Sequence, residues 1–224
     1  MEIEQIFLTL CRHFASKEAH LSRIILGSSP EQWLNAEAFV ALNWASPAVL
    51  REGHRAVNEC SSPFCHVQPS ILGGTVRPRR ERRDLAICTG RKAQRRACMM
   101  IEAKLIYPLA TLDSQLLELR RQLLRPPMVD ETPDVRRVGL TYAVFYSADA
   151  RRALDTPERF LLHAEERLRA TFSSPDFTLR RSVIWEQLVR ATPIDGGLGP
   201  RTVALAATWI EAHNFPRLAK NSSA

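Results

Sequence analysis

A chain of 224 residues, 45% hydrophobic and 25% charged, has the balance of a globular protein, which excludes a disordered or low-complexity chain and suffices for one well-buried domain with a modest extension. The opening Met1–Glu2–Ile3–Glu4 lacks the positive start of a secretory signal, and residues 38–50, an uncharged stretch after the first helix, are too short for a membrane span and contain Pro47, so a cytoplasmic protein is expected. The net charge of +7 is confined to residues 74–96, where Arg77, Arg79, Arg80, Arg82, Arg83, Arg91, Lys92, Arg95 and Arg96 face only Glu81 and Asp84, leaving the rest of the chain neutral.

In chain order, residues 2–14 and 17–26 read as a helical prelude, broken at Gly27–Ser28–Ser29. Ser29 as N-cap, Pro30 at the first helical position and Glu31 in the first turn predict a helix to about Trp44, before Pro47. Three extended segments follow: residues 54–60, 84–88 and 98–106, the last two joined by a polar, basic connection at 89–97. After Pro108, Leu109, Leu112, Leu116, Leu119 and Leu123 recur at helical spacing until Pro126–Pro127. Residues 137–146 (Arg-Val-Gly-Leu-Thr-Tyr-Ala-Val-Phe-Tyr) are the most strand-like run in the chain. Beyond it, Thr156–Pro157–Glu158 starts a helix to about Phe172 and residues 178–189 read equally as strand or helix. Residues 194–200 are a glycine-rich turn, and 202–213 read as a helix. The expected organisation is a prelude at 1–28, a core at 29–147, and a mostly helical extension at 148–224 packed on that core.

The chemistry concentrates on two strands. Residues two apart in a strand share a face, so Glu102 and Lys104 project together while Ile101, Ala103 and Leu105 point to the apolar side. A carboxylate and an ammonium in an otherwise hydrophobic strand demand a reason, because either is costly to bury unpaired. If 84–88 and 98–102 pair as an antiparallel hairpin centred on Ala93, paired numbers sum to 186 and Asp84 falls opposite Glu102. Two facing carboxylates repel unless one is protonated or a cation lies between them. A hard divalent ion answers that need, Mg²⁺ first for phosphate chemistry and Mn²⁺ as its substitute. Glu37, alone in charge between Gln32 and Leu50, shares a helical face with Trp33, Val40, Ala41 and Trp44; it is either a site residue, a partner for an arginine, or a solvated side chain.

Glu37 on a helix, Asp84 on a strand and Glu102-Ala103-Lys104 on the next strand resemble the PD-(D/E)xK nuclease superfamily, the restriction-endonuclease-like fold. The resemblance covers about residues 29–147 and departs from the motif in having Arg83 where the proline stands. It implies an α/β fold with a mixed sheet in the order αβββαβ, and hydrolysis of DNA phosphodiester bonds with Mg²⁺. By that resemblance Asp84 and Glu102 hold the ion, which polarises the phosphate and acidifies a bound water. Lys104 orients or helps deprotonate that water and offsets charge on the phosphate, while Glu37 binds a metal-linked water or a second ion. The nine basic residues from Arg77 to Arg96 grip the phosphate backbone without sequence preference. Some members carry a further polar residue on the following helix, a place open to Gln115, Gln122 or Asp113.

Two rivals remain open: a non-catalytic nucleic-acid-binding protein on the same fold, and a protein-interaction module in which Glu102 and Lys104 form a structural ion pair. DNA is the expected partner, with RNA as second candidate, no membrane, and a homodimer or a larger defence or repair complex as the assembly. The five cysteines show no pairing rhythm, and Cys60, Cys65 and His66 lack finger spacing, so thiols are expected reduced. The chain has no Gly-x-Ser-x-Gly elbow, and Asp195-Gly-Gly-Leu-Gly-Pro lacks the residues of a P-loop. Lysine occurs only at 17, 92, 104 and 220, an arginine bias that points to a high-GC bacterial genome or its phages.

Overall fold

A computed structural model of the chain describes residues 2–27, 30–50, 52, 54–58, 66–72, 75–81, 84–89, 96–108, 111–125, 131–146, 156–180, 184–195 and 200–213. It is a mixed α/β structure in which helices cover both faces of a mixed, mostly antiparallel sheet.

Helix α1 (Ile3–Ala15) buries Ile3, Ile6, Phe7, Leu10 and Phe14, a stripe at helical spacing, and α2 (Glu18–Gly27) follows it closely. Helix α3 (Glu31–Val40) starts where the sequence places it, but its α-helical part stops short of Trp44 and passes into a single π-helical turn, Ala41–Ala45. That turn has work outside the helix. The Asn43 side chain donates to the Ala56 carbonyl at 3.0 Å and accepts from the Ala56 N–H at 3.1 Å, so it pairs with strand β1 (His54–Asn58) as a neighbouring peptide would. Since β1 is an edge strand, the asparagine closes part of an otherwise open edge.

Strands β2 (His66–Leu72) and β3 (Thr75–Glu81), which the sequence reading did not anticipate, form a separate two-stranded sheet. The main sheet resumes with β4 (Leu85–Thr89) and β5 (Arg96–Ile106). Helix α4 (Leu112–Leu123) then leads into β6 (Glu131–Tyr146), which pairs parallel to β5; every other pairing in this sheet is antiparallel. Helix α5 (Pro157–Thr171) is capped by the Thr156 side chain, which accepts from the Arg159 N–H. Strands β7 (Phe177–Leu179), β8 (Glu186–Asp195) and β9 (Pro200–Ala212) complete the order β1-β4-β5-β6-β9-β7, with β8 also on β9.

The last third therefore differs from expectation. Residues 202–213 form no helix; they lie in β9, which pairs with β6 over ten positions. The extension is thus not mostly helical, and its long strand belongs to the sheet. Val203, Leu205, Ala207 and Trp209 face one core while Ala204, Ile210 and Ala212 face the other. A strand buried on both sides reads as a continuous apolar run without alternation, and its alanines mimic a helix former.

Helices α1, α2 and α3 cover the face carrying Ile101, Ala103, Leu105, Leu140 and Tyr142. Helices α4 and α5 cover the face carrying Ile106, Ala143, Phe145 and Ile210. Two residues of β6 hold α4 down. A Cβ on Gly139 would stand 3.1–3.2 Å from the Leu119 methyls, so only glycine allows this approach without displacement. Arg137, buried, donates to the carbonyls of Leu123 and Arg125 and so satisfies the carboxyl end of α4. No helix among the described residues is long and apolar enough to cross a membrane; Cys11 and Cys88 are buried, and Cys60 and Cys65 lie outside the described residues.

Candidate active site

The β4–β5 hairpin sets the geometry. Pairs Leu85↔Ile101, Ala86↔Met100 and Ile87↔Met99 all sum to 186, the register expected from sequence; a bulge then shifts Cys88 onto Ala97 and Thr89 onto Arg96. Asp84 immediately precedes β4, and continuing the register puts it opposite Glu102. Its Oδ2 accepts the Ala103 N–H at 2.7 Å, a charge-assisted bond that extends the ladder beyond the start of the strand. The Asp84 carboxylate is thereby fixed on the backbone between Glu102 and Lys104.

The alternation in β5 also follows the expected pattern. Ala103 and Leu105 are buried against the α1–α3 core, while Glu102 and Lys104 belong to the opposite face with Ile106. Glu102 is only 7% exposed and Lys104 is half-buried. Glu102 shares its register position in the parallel ladder with Gly139, where α4 comes closest to the sheet.

Helix α3 contributes an acid, but not the one expected. Glu37 lies against α1: its Oε2 accepts from Lys17 Nζ at 2.5 Å and bonds His13 Nε2 at 2.8 Å. Burial alone would raise the Glu37 carboxyl, but these two partners outweigh it and hold it below its usual range. The acid of α3 whose charge is coupled to Asp84 and Lys104 is Glu31, in the first turn. Burial raises its carboxyl, the negative charge of Asp84 raises it further, and Lys104 opposes both. Six residues of helix, about 9 Å of rise, separate the two glutamates. The sequence reading took Glu31 for a helix-start signal and gave weight to the isolation of Glu37, which instead staples α3 to α1.

In the core on the Ala103 and Leu105 face lies Tyr142, fully buried; its phenol is raised by burial first, then by Cys11, Asp84 and Glu31. At the carboxyl ends of β5 and β6, Tyr107 and Tyr146 meet edge-to-face with centroids 6.4 Å apart. The Tyr107 hydroxyl is raised by burial, and next by the Glu31 charge.

On α4, Asp113 is taken by Arg167 of α5 in a two-pronged ion pair. Gln115 and Gln122 both keep a buried Oε1 without a hydrogen-bond partner. Among the described residues no group of three or more His, Cys, Asp or Glu side chains is gathered for a metal.

Of the expected basic residues, Arg96 is exposed at the start of β5, about 26 Å along the strand from Lys104. Arg77, Arg79 and Arg80 belong to β3. Arg82, Arg83, Arg91, Lys92 and Arg95 lie outside the described residues.

No protein-family model, curated protein or solved structure matches this chain.

Proposed function

We propose that this protein is a metal-dependent nuclease hydrolysing DNA phosphodiester bonds on a PD-(D/E)xK-type core. One observation carries the reading: Asp84 is anchored by its own carboxylate to the peptide between Glu102 and Lys104. The element order supports it. With the β2–β3 hairpin taken as an insertion, α3, β1, β4, β5, α4 and β6 give helix, three antiparallel strands, helix and a parallel strand, the order the resemblance implies.

The donor chemistry fits a hard divalent cation. Extending the β4–β5 register by one residue sets Asp84 opposite Glu102, and Glu31 carries a carboxyl raised by burial and then by the Asp84 charge, a repulsion that a cation would relieve. Asp84 and Glu102 would hold Mg²⁺ or Mn²⁺, with Glu31 in the supporting place first expected of Glu37. When bound, such an ion polarises a phosphoryl oxygen and lowers the pKa of a coordinated water. Lys104 offsets the charge that develops on the phosphate and orients the attacking water. Arg82 and Arg83, next to Asp84 in sequence, hold phosphates near the scissile bond. Arg91, Lys92, Arg95 and Arg96, toward the far end of the hairpin, hold the strand several phosphates away.

The test is cleavage of plasmid and single-stranded DNA with Mg²⁺ or EDTA, for wild type and Lys104→Ala. The reading expects metal-dependent cleavage that vanishes in the variant while the circular-dichroism spectrum is unchanged. Salt-sensitive DNA binding indifferent to metal and to Lys104 would instead mark a non-catalytic binding protein. No DNA affinity at moderate salt would mark an interaction module.

A further inference from the structure

We infer that Tyr107 and Tyr146 form an aromatic shelf that stacks an unpaired base beside Glu31, so that the substrate enters as single-stranded DNA. The inference deepens the nuclease reading and rests on it for the position of the scissile phosphate. It begins from topology. Strands β5 and β6 are the parallel pair of the sheet, and open sheets of this kind take ligands in the crevice beyond the carboxyl ends of parallel strands. Tyr107 directly follows β5, and Tyr146 ends β6. Tyr107 stands three residues beyond Lys104, about 10 Å along the chain, and the Glu31 charge reaches its hydroxyl.

Burial separates these rings from ordinary core. Tyr142, four residues earlier on β6, is 2% exposed and packs on Phe14. Tyr107 and Tyr146 rest on the edge of the same core but are only half-buried. Their planes cross at 74°, an edge-to-face contact in which each ring fixes the orientation of the other. A ring held in place at the mouth of a site loses little freedom when a base settles on it.

The charge pattern requires such a partner. Arginines hold phosphates and leave the bases untouched. A π-face accepts any base, but only one whose own face is uncovered, which in a duplex it is not.

The experiment uses the full-length protein in EDTA, a 16-nucleotide single strand bearing one 2-aminopurine, and the same strand annealed to its complement. Fluorescence reports both affinity and stacking. Wild type is expected to quench the probe in the single strand and to bind it more tightly than the duplex. Tyr107→Leu with Tyr146→Leu should lose the quenching and about 5- to 150-fold in single-strand affinity, with duplex affinity unchanged. Tyr→Phe at both positions should retain both properties. If the double leucine variant does not fold, each single leucine variant carries the test, with partial loss expected. Unchanged quenching and affinity in folded leucine variants would overturn the shelf, as would wild type binding neither form. Cleavage with Mg²⁺ is read in parallel. Cleavage by wild type with no effect of the leucine variants sinks the shelf and leaves the nuclease standing. Tyrosine-dependent stacking without any cleavage keeps the shelf and removes the nuclease.

Discussion

Asp84 does two jobs that two substitutions can separate. Its Oδ2 accepts the Ala103 N–H at 2.7 Å, and Ala103 is 4% exposed, so water does not replace a lost acceptor. Asp84→Ala orphans that donor, at a cost of about 1–3 kcal/mol. At about 2–4 °C per kcal/mol for a chain of this size, the melting temperature falls by roughly 2–12 °C. Asp84→Asn keeps a carbonyl oxygen in the same place and loses only the charge assistance, about half of the bond, so its cost stays below about 1 kcal/mol. Cleavage orders differently. Both variants lose an anionic ligand for the divalent ion and should fall at least about a hundredfold, since Lewis-acid stabilisation amounts to several kcal/mol. Thermal melts in EDTA and plasmid nicking in Mg²⁺ read the two effects. The reasoning fails if asparagine and alanine destabilise equally, or if the asparagine variant nicks at the wild-type rate.

The two glutamates of α3 should separate in the same way. Glu31→Gln lowers cleavage about 10- to 100-fold. Because the Glu31 carboxyl is raised in the fold, its contribution to stability falls as pH rises from the unfolded value through the folded one, so the glutamine variant should gain on wild type in EDTA as pH rises above the ordinary glutamate range. Glu37→Gln should leave cleavage intact and cost about 1–3 kcal/mol near neutral pH, because it weakens the bonds to Lys17 and His13. The Glu37 carboxyl is held low, so its stabilisation is present above the unfolded pKa and disappears as pH falls through the folded value; urea midpoints of the two proteins should converge in acid. Asn43→Ala should cost about 1–3 kcal/mol and speed hydrogen exchange at Ala56, and unchanged exchange there would contradict the clamp. Gly139→Ala should cost about 1–3 kcal/mol by pressing a methyl against Leu119, read as a lowered melting temperature.

The elements legible in the sequence were those whose pattern is local. The stripe of α1, the leucines of α4 and the Thr156 cap announce helices, because a helix buries one face and closes its own hydrogen bonds. The register of β4 and β5 was legible for a related reason: a hairpin pairs neighbours in sequence, and Asp84, Glu102 and Lys104 left few acceptable alignments. Strand β9 was illegible because cores lie against both of its faces, which erases the alternation that marks a half-exposed strand. The β2–β3 hairpin escaped for the opposite reason. Its prolines, Pro69 opposite Pro78, and its run of arginines resemble a loop, and only the pairing makes strands of them.

The exchange of Glu37 for Glu31 follows from what isolation along a sequence can reveal. Glu37 stood alone between apolar neighbours, which announces that a partner must come from elsewhere without saying which; α1 supplied His13, the turn after it supplied Lys17, and the charge was neutralised locally. Glu31 lies at the end of α3, where an acid is ordinary because it faces the positive end of the helix dipole. Its environment is not ordinary. Its carboxyl is pushed up by burial first and by the Asp84 charge second, against the pull of Lys104. Local pattern sets Glu31 down as a helix-start signal, whereas its burial and the charges of β4 and β5 tie it to Asp84 and Lys104, a relation that no spacing within α3 announces.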